Sequence, residues 1–268
     1  MTFRPGRRPF RPARPPADEP EEEGRVVFGI QPVREVLRAK GDKTSKLLLA
    51  DGDNPKLDGL ERLAASRGLT ATRVPRAELD RRTKGGMHQG AFAVAPVLEV
   101  LNEEQILTRL EAEANPVVMI LDGIMDPQNF GAVVRGAVAL GAFFVVWPEH
   151  GSAPLTPATF RASAGAVEHA ILGRVRALPG FMDALASRGF TSVLLDGNCE
   201  TALDELDLTG PVAIVVGAED VGAKPSVRRA ATRRARIPMS GTIDSLNASV
   251  ASALALYETM RQRRVGSR

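Results

Sequence analysis

The residues of this chain best suited to chemistry fall in three stretches of its second half. The first reads Asp126-Pro127-Gln128-Asn129-Phe130-Gly131-Ala132-Val133-Val134-Arg135. Asp-Pro fixes a loop, Asn129 is an acceptable helix cap, and Gly131 lets a neighbour approach closely. Arg135 keeps company with Ala132, Val133, Val134, Gly136 and Ala137. An arginine in such apolar company points to an anion, although an arginine early in a helix is more often a surface residue. Six positions, about 600° of helical rotation, separate it from Asn129. The loop must therefore bring both to one side. The second stretch, Gly217-Ala218-Glu219-Asp220-Val221-Gly222, is an acidic turn bracketed by glycines. Its carboxylates suit the hydroxyl or amino groups of a nucleoside; a plain tight turn would want the same glycines. The third passes from Ile237-Pro238-Met239 through a Ser/Gly/Thr loop into Ser245-Leu246-Asn247 and a long Ala/Leu helix. Ser245 suits the N-cap, and free N–H groups at a helix start can cradle a polar ligand. By itself the stretch reads far more readily as an ordinary strand–loop–helix joint. No Gly-x-Gly-x-x-Gly follows the strand before Asp126, so no dinucleotide fingerprint is present.

Between the second and third stretches lie Arg228, Arg229, Arg233, Arg234 and Arg236, five arginines within nine residues. Beside a candidate site they point to an anionic polymer, since each neutralised phosphate adds salt-dependent affinity. A solvated helix face is the alternative. The whole chain carries a formal charge of only +3 from 35 basic and 32 acidic residues, so the clustering matters more than the sum. One cysteine, Cys199, excludes an internal disulfide framework and a multi-cysteine zinc site. Three scattered histidines, His88, His150 and His169, argue against any metal. No apolar run approaches the roughly 18 residues of a membrane span, and the first residues lack the apolar core of a secretory signal. The expectation is a cytoplasmic protein with no membrane partner.

These side chains need elements to hold them. Residues 1–24 read as a disordered tail, an Arg/Pro-rich arm followed by an acidic block, either a phosphate-seeking arm or a solubilising tail. Residues 25–95 alternate short strands and helices and form a small three-layer α/β unit with its own sheet. There His88-Gln89-Gly90, beside the Gly85-Gly86 turn, could contact a polar partner, with loop packing the better of the two readings. Residues 96–115 are a connector with a polar helix from Asn102 to Glu113. From residue 116 the pattern changes to continuous apolar runs at 117–121, 143–147, 192–195 and 212–216. Strands without alternation are buried on both faces, as in a parallel sheet covered by helices. The expected helices span 130–140, 181–188, 226–231 and 246–263, with a strand at 236–239. In such sheets ligands bind beyond the carboxyl ends of the strands, where all three stretches fall.

Taken in order, Asp126-Pro-x-Asn129-x-Gly131-Ala-x-x-Arg135, Gly217-x-Glu219-x-x-Gly222 and Ile237-Pro-Met…Ser245-Leu-Asn247-x-Ser249-Val-Ala resemble the three motifs of the SpoU/TrmH family, within the SPOUT RNA methyltransferases. Phe28-Gly29 and His88-Gln89-Gly90 extend the resemblance to its RlmB-type subgroup, so that it covers about residues 26–262. The resemblance implies an α/β chain with a trefoil-knotted, mostly parallel catalytic domain over 116–268 and a small L30e-like, RNA-binding domain before it. It implies S-adenosylmethionine as methyl donor, lined by Gly217, Gly222, Ile237, Met239 and Leu246, and a homodimer joined through the knotted domain. The acceptor implied is a guanosine ribose 2′-hydroxyl in the peptidyl-transferase region of 23S rRNA, free or in a ribosomal precursor particle. Arg135 takes the catalytic position, with Asn129, Glu219, Ser245 and Asn247 around it. His88, Gln89, Arg228 and Arg229 are the expected RNA contacts. Gly136, Ala223 and Ala248 are smaller than the family's usual residues, which puts rate and affinity in doubt. The same chemistry on tRNA or another rRNA site, and a non-catalytic assembly factor, are the competing readings.

Overall fold

The computed structural model describes residues 24–153, 155–241 and 245–266. The Arg/Pro-rich arm and the acidic block, residues 1–23, lie outside the described residues, as do 242–244 of the third stretch. The N-terminal unit runs β1 (Arg25–Phe28), α1 (Ile30–Lys40), β2 (Lys46–Ala50), α2 (Pro55–Ala65), β3 (Ala71–Val74), α3 (Arg76–Arg82) and β4 (Ala91–Ala95). Its four strands are ordered β1-β4-β2-β3, antiparallel except for β2 beside β3. Local chemistry sets the helices: Asn54 accepts from Lys56 N ahead of Pro55, which places its missing donor where no partner is needed. Val33, Val36 and Leu37 of α1 and Leu57, Leu60 and Ala64 of α2 recur at helical spacing and bury against Leu47, Leu49 and Phe92 of the sheet.

The remaining chain adds β5 (Val100–Leu101), α4 (Glu103–Leu110), β6 (Val117–Asp122), α5 (Pro127–Ala139), β7 (Phe144–Pro148), α6 (Pro157–Ala162), β8 (Ile171–Val175), α7 (Leu178–Ala186), β9 (Thr191–Leu195), β10 (Val212–Gly217), α8 (Pro225–Ala230), β11 (Arg233–Ala235) and α9 (Ala248–Gly266). Seven strands pair in the order β11-β9-β10-β6-β7-β8-β5, every recorded pairing parallel. The apolar runs predicted this sheet. Val118, Ile120, Val146, Ala213 and Val215 face one core, and Met119, Leu121, Val145, Ile214 and Val216 face the other. Phe130 of α5 meets Trp147 edge-on, with ring centroids 5.2 Å apart.

The structure departs from the sequence reading in several elements. β8 escapes a run-based reading because Gly173 and Arg174 interrupt it. Gly173 is needed there, since a Cβ would lie 2.2 Å from Ile106 Cδ1. β5, inside the expected connector, belongs to the large sheet through its pairing with β8. The strand expected over 236–239 instead occupies Arg233–Ala235, where two exposed arginines mark an edge strand.

The sheet order turns about β6 and β10. From β6 the chain winds outward through β7 to β8, then crosses back to lay β9 beyond β10. A crevice opens at such a reversal, outside the carboxyl ends of the strands.

Candidate functional site

At this reversal the three sequence stretches converge. α5 is capped by Asp126, whose carboxylate accepts from Gln128 N at 3.0 Å and Asn129 N at 3.3 Å. Asn129 is therefore in the first turn rather than at the cap, and its amide is released for tertiary contact. Its Nδ2 donates to Glu219 Oε1 at 2.9 Å, and its Oδ1 accepts from Asn247 Nδ2 at 3.0 Å. Asn247 Nδ2 also donates to Glu219 Oε1, which takes a further bond from Ala248 N at 3.2 Å. Glu219 thus bonds one residue from each of the other two stretches and the first amide of α9. Its Oε2 has no partner among the described residues and remains exposed.

The cap of α9 is a correction. Asn247, not Ser245, holds that position: its Oδ1 accepts from Ser249 N at 2.9 Å and its carbonyl from Ala251 N at 2.9 Å. The helix therefore starts at Ala248 rather than Leu246. Ser245, relieved of capping, lines the cleft.

That cleft, of about 300 Å3, is bounded by Leu194–Asn198 after β9, Val216–Ala223 after β10, Arg228 of α8, Ile237, Met239, Ser245, Leu246, Ala248 and Ala251. Gly217 is required by its walls, since a Cβ there would lie 2.2 Å from Ala223 N. Gly222 takes φ +68°, which glycine adopts freely, and closes the turn by donating from its N–H to Ala218 O at 2.8 Å. Asp122, buried at the end of β6, accepts from Lys224 N at 2.7 Å and anchors the far side of that loop. Sequence reasoning missed Asp122 and Asp196; the signal available was an aspartate ending an apolar strand, in Ile120-Leu121-Asp122 and Leu194-Leu195-Asp196.

Not every candidate joins the cleft. Arg135 sits on the exposed face of α5, outside the cleft lining, with no hydrogen bond or ion pair among the described residues. At His88 the loop-packing reading holds, against the RNA contact that the resemblance implied. The ring is 2% exposed, accepts from Gly90 N at Nδ1 and bonds Asp80 through Nε2 at 2.9 Å, so it packs the loop. Gln89 is exposed, but its Oε1 accepts from Ile30 N at the start of α1. Arg228 is also relocated, turned into the cleft wall and paired with Asp196 at 2.6 Å, whereas Arg229 faces outward.

The fold defines an open, parallel-sheet α/β protein with a cleft at the carboxyl edge of its sheet. Two family models match this chain: the SpoU rRNA Methylase family over residues 116–257, and RNA 2′-O ribose methyltransferase substrate binding over residues 26–101. It is 39% identical over 251 residues to an uncharacterised tRNA/rRNA methyltransferase of Mycolicibacterium smegmatis, covering 92% of this chain and 78% of that protein. It is 36% identical to the 23S rRNA (guanosine-2′-O-)-methyltransferase RlmB of Photobacterium profundum, covering 90% and 98%. The fold superposes with a TM-score of 0.73 on the SpoU methyltransferase AviRb of Streptomyces viridochromogenes, solved with AdoMet, at 23% identity and over 90% and 91% of the two chains. The chain belongs to the SpoU rRNA Methylase family. Its N-terminal unit is the substrate-binding module found with RNA 2′-O-ribose methyltransferases.

Proposed function

We propose that this enzyme transfers a methyl group from S-adenosylmethionine to the ribose 2′-hydroxyl of a guanosine in the peptidyl-transferase region of 23S rRNA. The observation that carries the reading is the Asn129–Glu219–Asn247 set, bonded across three segments beside a ligand-sized cleft. The cleft suits the cofactor chemically. Ile237, Leu246, Val216 and Leu194 give apolar walls for a nucleoside, Gly217 to Gly222 present backbone groups at close range, and the volume falls within the usual range for small-molecule sites. Bound there, the sulfonium supplies an activated methyl group. Gly217, Gly222, Ile237, Met239 and Leu246 line it in this reading.

The work left to the protein is placement, because in-line displacement at a sulfonium methyl depends chiefly on alignment with the attacking oxygen. Glu219 is an exposed residue whose Oε2 has no partner among the described residues, so it can accept from a ribose or base hydrogen, and Ser245 offers a hydroxyl across the cleft. Asn129 and Asn247 fix the carboxylate by holding its other oxygen. Arg135 offers a planar guanidinium of five N–H donors and no acceptor, so it is not the base. It serves by holding the adjacent phosphate and stabilising the developing alkoxide. Its lack of a partner among the described residues suits a side chain reserved for substrate. Arg229 and Gln89 extend the RNA contact surface.

Two wider features belong to the same reading. A trefoil knot in the domain over 116–268 is supported by α9, which starts beside Glu219 and packs on α5. A homodimer through α9 is supported by Val250, Leu254 and Tyr257. They are exposed by 42–53% and recur at i, i+4 and i+7, an apolar stripe that a second copy would cover. A cytoplasmic location fits rRNA as substrate. Methylation of tRNA is the second reading, favoured by the similarity to the tRNA/rRNA methyltransferase of Mycolicibacterium smegmatis.

Mapping ribose methylation in rRNA from cells with and without the gene tests the target; an unchanged 23S map rejects it. Arg135→Ala is expected to retain S-adenosylmethionine binding by calorimetry and to lose about a hundredfold or more in tritiated-methyl transfer. An active Arg135→Ala enzyme removes the arginine from the mechanism.

A further inference from the structure

Asp196 ends β9 with its side chain 4% exposed, an expensive place for a charge unless it is paired. Both oxygens are committed. Oδ1 accepts from Asn198 N at 3.2 Å, and Oδ2 accepts from Arg228 Nη1 at 2.6 Å, with Arg234 Nη1 3.6 Å away. Such a carboxylate has little left for a ligand. Its effect is to hold Arg228 against the cleft wall, with the guanidinium fixed at one nitrogen. Arg228 Nε and Nη2 have no partner among the described residues, and its side chain remains 39% exposed. Of the described residues lining the cleft, Arg228 alone is basic, while Glu219 and Asp220 supply negative charge after β10.

We infer that Arg228 is a positioning residue that receives the α-carboxylate of the cofactor's amino-acid portion. The inference rests on the reading above that S-adenosylmethionine occupies this cleft. That cofactor has one anionic group at physiological pH, the carboxylate, and two cationic ones, the sulfonium and the amine. A guanidinium whose planar fork is already oriented takes a carboxylate in two parallel bonds at little further entropic cost. The negative charge of Glu219 and Asp220 then faces the cationic sulfonium side, so the field of the cleft orients the ligand along its length. Asp196 supports the contact by screening Arg228 from Arg234, which approaches the same carboxylate, and by fixing its rotamer.

The test compares calorimetric binding of S-adenosylhomocysteine and its decarboxylated analogue, which keeps the nucleoside, thioether and amine. The full-length wild-type chain should prefer S-adenosylhomocysteine. Arg228→Gln should weaken S-adenosylhomocysteine by about tenfold or more, the scale of a lost charge-assisted hydrogen bond, and leave the analogue unchanged. Arg228→Lys, which keeps the charge without the fork, should retain part of the preference, as should Asp196→Asn. These two variants decide the matter if Arg228→Gln does not fold. Equal loss for both ligands would show a merely structural arginine and overturn the inference. So would unchanged nucleoside binding with weakened RNA binding, which would assign Arg228 to a phosphate. In both cases wild-type binding leaves the cofactor reading intact. A wild-type chain that binds neither ligand rejects both.

Discussion

Glu219 shows how one side chain acquires two tasks. Its Oε1 takes three donors, from Asn129, Asn247 and the first amide of α9, so the carboxylate both orders the site and caps a helix from outside it. A helix start carries unsatisfied N–H groups and partial positive charge, which a carboxylate satisfies well. Removing Glu219 therefore disturbs the helix start and the order of Asn129 and Asn247 together. Glu219→Ala should lose about 1 kcal/mol, the usual worth of a cap, which for a chain of this size lowers Tm by roughly 2–4 °C. Glu219→Gln keeps an acceptor for the same donors and should hold Tm near wild type. Scanning calorimetry of the two variants decides this; equal melting of Glu219→Ala and wild type would leave the carboxylate no capping role. At this scale the sequence identified Asn129, Glu219 and Asn247 from type and spacing. It assigned the caps to the wrong neighbours, because Asn129 and Ser245 are as good as Asp126 and Asn247 by type alone.

Among the elements, α5 matters most, since it carries Asn129 and Arg135 and is flanked by α6 and α9. Gly131 explains how closely α6 approaches. A Cβ there would stand 2.6 Å from both Ala162 Cβ and Thr159 O, and one of those is backbone. Gly131→Ala should separate the helices and cost about 1–3 kcal/mol, the range for overpacking a tight core. Thermal unfolding followed by circular dichroism measures it, and a variant as stable as wild type would mean that α6 can move freely. The sequence raised Gly131 as a place of close approach but could not name the neighbour. α6 was invisible because its six residues, Pro157–Ala162, are too few to show periodicity. Gly136, smaller than the residue usual in the family, has only ordinary contact room toward Ala253 at 3.7 Å.

Across the whole molecule, the N-terminal unit is seated on the large sheet's α6 region by buried charge. Arg25 of β1 reaches Glu168 at 2.8 Å, with side-chain exposures of 12% and 1%, while its guanidinium lies 4.7 Å from the Phe160 ring centroid. Beside it, Gly165 brings the backbone against Glu35 and Pro32, and His169 bonds Glu35 at 3.0 Å. Breaking such a pair from one side leaves an uncompensated charge, at about 3–5 kcal/mol. Glu168→Ala should therefore loosen the seat, seen as faster limited proteolysis in the 96–99 segment and a lower calorimetric transition. Arg25→Leu combined with Glu168→Leu should recover most of the loss, because two apolar groups leave no charge behind. Proteolysis at the wild-type rate in Glu168→Ala would show that the pair does not hold the two units together.

The sequence by itself determined the parallel sheet, the separate small α/β unit and the three polar stretches. Each rests on local pattern: unbroken apolar runs where strands are buried on both faces, and loops of Gly, Asn, Asp and Ser where strands end. Tertiary structure decided who meets whom. The crossover that carries β9 beyond β10 places Asp196 against Arg228 across thirty-two positions, and the pairing of β10 with β6 places Glu219 against Asn129 across ninety. It also drew Arg228 from an apparent surface cluster into the cleft. Contacts between residues so distant depend on strand order, which no local periodicity encodes.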